Sequence, residues 1–119
     1  MAVLTKGRRK LHREGRLFVW WVAPDPDGLG NLLHVISEDK FFHVTYELGQ
    51  APARGFVVVL GREFPGLDDA GGVWIRLRTP AWDVSAIGPG FVRRLIDWAL
   101  DPGRPLLRVD CRSEPSEPA

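Results

Sequence analysis

Six consecutive residues, Val73-Trp74-Ile75-Arg76-Leu77-Arg78, constrain the fold of this chain more than any other stretch. Apolar side chains alternate with bulky or charged ones. That is the period of a β-strand, whose successive side chains leave opposite faces. Val73, Ile75 and Leu77 are expected to face a core, and Trp74, Arg76 and Arg78 to face away from it. A strand that turns a Trp and two Arg outward belongs to a sheet with an uncovered face.

Other segments read as partners for it. Residues 16–23 (Arg-Leu-Phe-Val-Trp-Trp-Val-Ala) are rich in β-branched and aromatic residues and predict a strand, stopped by Pro24-Asp25-Pro26-Asp27-Gly28. Residues 31–37 and 41–48, joined by Glu38-Asp39-Lys40, predict a β-hairpin whose turn lacks the Asn-Gly signature that would fix its register. Residues 55–61, apolar on both faces, predict the most buried and most central strand, and a last short strand is expected at 106–109.

A single helix is expected over 89–100. Pro89 after Gly88 marks its start and Asp101-Pro102-Gly103 its stop. At 100° per residue, Phe91, Val92, Leu95, Ile96, Trp98, Ala99 and Leu100 form a wide apolar arc, leaving Arg93, Arg94 and Asp97 on the remaining wedge. Such a helix presses into a core. The fold class is therefore α+β: an antiparallel meander of about five strands with one C-terminal α-helix packed on one face.

At 119 residues the chain makes one domain. Its net charge of +1 conceals an asymmetry, with six Lys/Arg against one Glu in residues 1–16 and seven against ten acidic residues in 17–100. Residues 1–15 read as a flexible basic arm, 16–111 as the α+β domain, and 112–119 as a disordered tail. The lone Cys111 excludes an intrachain disulfide and a cysteine-based zinc cluster. Nothing at the N-terminus resembles a signal peptide, no apolar run is long enough to span a bilayer, and a cytoplasmic location is the expectation.

One short helix cannot cover both sides of such a sheet. His34, His43, Thr45, Glu47, Trp74, Arg76 and Arg78 are expected on the uncovered side, with Val57 or Val59 at its centre. Aromatic, histidine and arginine side chains around an apolar centre suit a contact surface. A tight turn at Glu38-Asp39 would set His34 opposite His43, and a shift of two residues would pair His34 with Thr45 instead. Opposed histidines are the best candidates for metal binding or proton relay, but Glu47 lies about 13 Å along the strand from His43 and the ligands disperse.

The remaining motifs reduce to ordinary structure. The segment from Asp25 to Asn31 fails as a calcium loop because Leu29 and Ile36 occupy ligand positions. Gly28-Leu29-Gly30 precedes a strand and is no dinucleotide fingerprint, and Asp68-Asp69 have no partner base. Cys111 has no neighbouring His, only Arg108 and Arg112.

No catalytic or metal-ligating residue and no cofactor is assigned. The expected function is a small non-enzymatic protein-interaction domain using Trp74, Arg76, Arg78, His34 and His43, with a free sheet edge as another contact and a homodimer as one outcome. The alternative is nucleic-acid binding through the arm by Arg8, Arg9, Lys10 and Arg13. A second alternative is a small enzyme or metal site around His34 and His43. A membrane partner is not expected.

Overall fold

The computed structural model describes residues 8–26, 28, 30–72, 74–82, 86–110, 114 and 115. Val73, Cys111, Arg112, Asp27 and Leu29 lie outside the described residues, as do residues 1–7 and 116–119. The chain folds as an α+β domain: among the described residues, one antiparallel six-stranded meander, one α-helix and a short 3-10 turn (Pro52–Arg54). The strands are β1 (Arg9–Arg13), β2 (Arg16–Pro24), β3 (Asn31–Ser37), β4 (His43–Glu47), β5 (Phe56–Val59) and β6 (Ile75–Arg78), hydrogen-bonded in sequence order. Helix α1 (Pro89–Ala99) follows them.

Three expectations are corrected. The basic segment expected as an arm contributes β1, whose five residues pair with β2 from Arg9↔Trp20 to Arg13↔Arg16. Its hairpin closes through Glu14 and Gly15, both at positive φ (50° and 78°), the two-residue geometry that matches the twist of the flanking strands. Leu11 then anchors β1 in the core. Next, β5 stands one place from the sheet edge; β3 and β4 are central. Finally, the expected strand at 106–109 shrinks to an isolated bridge between Leu77 and Arg108, with Arg78 N–H donating to the Leu107 carbonyl and Val109 N–H to that of Arg76.

The alternation in each strand divides its side chains between two environments. Leu11, Phe18, Trp20, Leu33, Val35, Val44, Tyr46, Val57, Val59, Ile75 and Leu77 are buried on one side. There α1 presents Phe91, Val92, Leu95, Ile96 and Ala99, a stripe at helical spacing. Trp82 tucks beside this stripe, with ring centroids 5.3 Å from Phe91 and 5.7 Å from Trp98, both edge-on. Arg13 donates to Asp97 at 2.6 Å and Arg93 to the His12 carbonyl at 3.1 Å, tying the helix to the β1 edge.

The β3–β4 turn sets the register of the central hairpin. Ser37 N–H donates to the Phe42 carbonyl, so four residues make the loop. The Asp39 carboxylate accepts from Ser37 Oγ at 2.5 Å and from Phe41 N–H at 3.0 Å, and Lys40 takes φ +68°. The hydrogen bonds to Ser37 and Phe41 hold the Asp39 carboxyl below its ordinary value. The longer loop places His34 opposite Thr45, and His43 opposite Ile36.

Candidate functional site

Reading the pairings across the sheet gives two long rungs on the side away from α1. One runs Trp21, His34, Thr45, Val58, Arg76, each residue opposite the next on the neighbouring strand. Arg8 extends it, its guanidinium 4.0 Å from the Trp21 ring centroid. The adjacent rung runs Lys10, Val19, Ile36, His43. Leu60, whose N–H donates to the His43 carbonyl, continues that rung, and Trp74 flanks it just before β6. Beyond the first rung lie Leu32 opposite Glu47, and Phe56 opposite Arg78.

This face is largely apolar and only partly covered. Leu17, Val19, Trp21, Leu32, Ile36, Phe56, Val58 and Leu60 are half-buried, and Trp74 is 70% exposed. A cavity of about 440 Å³ opens on it, with Leu32, Phe56, Val58, Leu60 and Trp74 as apolar lining. Asp25, His34, Thr45, Glu47 and Arg76 supply polar groups to the same cavity, and Pro26 completes its lining.

His34, Thr45, Glu47, Trp74 and Arg76 all line this cavity. The strand alternation predicts their shared face, and the expectation that the polar groups spread along it without meeting is corrected. Arg78 stands at its border and donates to the Ala53 carbonyl at 3.3 Å. His43 shares the face but not the cavity lining. The centre of the face is Val58, flanked by Phe56 and Leu60; Val57 and Val59 point into the core, which corrects the expected parity of β5.

Of the basic residues in the expected arm, Lys10 and Arg8 belong to this face. Arg9 and Arg13 turn to the other side, Arg9 over the Trp20 ring at 5.8 Å and Arg13 to Asp97. Arg13, Arg16, Arg54 and Arg108 are ion-paired, with Asp97, with Glu63 and Asp39, with Glu114, and with Asp69 respectively. Arg8, Lys10 and Arg76 make no ion pair among the described residues.

Both imidazoles are held below the ordinary histidine value. Burial lowers the pKa of His34, and the nearby Arg8 charge adds to the effect. The His34 ring is stacked on Trp21, centroids 4.9 Å apart and 14° from parallel. Burial also lowers His43, with a smaller contribution from His34, and His43 Nε2 is buried without a hydrogen-bond partner among the described residues. The two histidines are diagonal neighbours on adjacent rungs, His34 opposite Thr45 and His43 opposite Ile36. Among the described residues no three His, Cys, Asp or Glu side chains are placed to hold a metal ion. The Asp69 carboxylate, held below its ordinary value by Arg108 at 2.6 Å, is an exposed loop acid.

No protein-family model matches this chain, and neither a curated protein nor a solved structure is similar to it. No helix among the described residues is long and apolar enough to cross a membrane.

Proposed function

We propose that the protein is a non-enzymatic binding module whose working surface is the sheet face opposite α1. The observation that carries this reading is the one-sided placement of the helix. Five inter-strand spacings of about 4.8 Å and strands of about 17 Å give this face a span of roughly 400 Å². Half-buried aliphatic and aromatic side chains fill its middle, and Trp74 stands free at one end. Polar groups line the cavity without the nucleophile–base pairing that chemistry requires. That distribution supports contact with another macromolecule over catalysis.

The test is affinity capture from the source cell, with and without nuclease, comparing the wild-type protein with Trp74→Ala and Arg76→Glu. Both variants are expected to lose the captured macromolecule while keeping a near-native thermal midpoint. Retention of the same partner by both, at undiminished yield, refutes the reading.

A further inference from the structure

Resting on the reading of the open face as a binding surface, we infer that its occupant is single-stranded nucleic acid, laid across the strands with one base in the cavity beside Trp74. The two ends of the face carry the same sign of charge. Arg8 and Lys10 lie at the β1 edge and Arg76 on β6, which residues 107–109 flank; aliphatic and aromatic groups, with Asp25 and Glu47, lie between them. These three cations make no ion pair among the described residues, as Arg9, Lys40, Arg62, Arg93 and Arg94 elsewhere do not; on this face they outnumber the two carboxylates of the cavity, Asp25 and Glu47.

This layout opposes a second copy of the chain. A two-fold axis along the strands sets the β1 edge of one copy over the β6 edge of the other; an axis across the strands sets each edge over itself. Either docking brings cation toward cation at both rims, which disfavours these two homodimer arrangements. The face instead complements a polymer whose negative charges recur on either side of flat, weakly polar groups.

Single-stranded nucleic acid has that form: phosphates meet a cationic groove, and unpaired bases stack on aromatic side chains. A duplex hides its base faces and leaves the apolar middle unused. Trp74, 70% exposed, offers a free ring for stacking. Trp21, by contrast, is already covered by Arg8 and His34, so it braces the rung and holds Arg8 at the rim. The cavity of about 440 Å³ is roomy for one base, and Asp25, His34, Thr45 and Glu47 supply donors and acceptors for its polar edge. The face spans about 24 Å from β1 to β6, which suits the short end of known site sizes, about four nucleotides and upward.

The test is fluorescence anisotropy of a labelled twelve-nucleotide oligo(dT) and of an unstructured RNA of the same length, titrated with the full-length protein between about 50 and 200 mM salt. Three phosphate contacts predict a log–log salt slope near −2. Lys10→Glu and Arg76→Glu should each flatten that slope, and Arg94→Glu on the exposed side of α1 should not. Trp74→Ala should weaken binding by about 5- to 150-fold, and Trp74→Phe should restore most of it.

No binding at 50 mM salt overturns the inference, as does equal loss with Arg94→Glu or equally tight binding of poly-aspartate. If no oligonucleotide binds but light scattering shows a dimer that Trp74→Ala dissociates, the face is a binding surface and only its occupant is wrong. If an oligonucleotide binds and neither Trp74→Ala nor Arg76→Glu alters its affinity, the face itself is refuted.

Discussion

Two glycine-to-alanine changes are expected to move stability in opposite directions, for reasons visible only in the tertiary structure. At Gly61 an added Cβ would sit 2.3 Å from the Phe41 carbonyl oxygen and 2.6 Å from the His43 nitrogen. Both obstacles are backbone, so no rotamer change relieves them. Leu60 N–H and Gly61 N–H both donate to the His43 carbonyl here, at 2.8 and 3.0 Å, a bulge that needs the close approach. Overpacking costs about 1–3 kcal/mol and a weakened hydrogen bond about 1 kcal/mol more. Gly61→Ala should therefore destabilise by about 3 kcal/mol, lowering the thermal midpoint by roughly 10 °C in a domain of this size. At Gly90, in the first turn of α1, a Cβ meets nothing within 4 Å. Alanine there should stabilise by about 0.5–1 kcal/mol through helix propensity. Urea unfolding with an unchanged m-value is the assay. A Gly61→Ala protein within about 0.5 kcal/mol of wild type would refute the close β4–β5 approach and the placement of His43 and Leu60 on one rung.

Further expectations follow from the same structure. Trp74→Ala should cost less than about 1.5 kcal/mol, since most of the ring is exposed, whereas Phe18→Ala should cost about 3–5 kcal/mol; similar losses would mean Trp74 is core. The lowered values of His34 and His43 make the unfolded chain bind more protons just below the ordinary histidine value of 6.5. Stability should hold above that value and fall as pH drops from it toward the folded values. Imidazole NMR titration checks this, and midpoints for both rings at or above 6.5 would contradict it. Asp39→Ala removes the acceptor of Phe41 N–H, so hydrogen exchange at Phe41 should accelerate; unchanged protection would mean another group holds the turn.

The sequence carries the periodic parts of this fold openly. The alternation in β6 fixed which side Ile75 and Leu77 take, and the Pro89 start with an apolar arc located α1. Two failures have local causes. The β1–β2 turn is Glu14-Gly15, which lacks the Asn-Gly or Asp-Gly pair that advertises a two-residue hairpin, so the charge of 9–13 outweighed its lone anchor, Leu11. In β5 every position is apolar, so periodicity cannot say whether Val57 or Val58 faces the helix; pairing with β4 and β6 decides that. The rung from Arg8 to Arg76 was beyond reading because it needs the registers of successive hairpins at once. Its one accessible signal was parity: in Phe18-Val19-Trp20-Trp21, two adjacent Trp must face opposite sides, so one had to be on the open face.

The most direct test of the open face is an amide and indole NMR titration of the labelled protein with the twelve-nucleotide oligo(dT). Shifts are expected at the Trp74 indole and at the amides of His34, Thr45, Val58 and Arg76, with Leu95, Ile96 and the exposed side of α1 unmoved. Shifts centred on the helix, or none along the rung at saturating oligonucleotide, would contradict the open face as the binding surface.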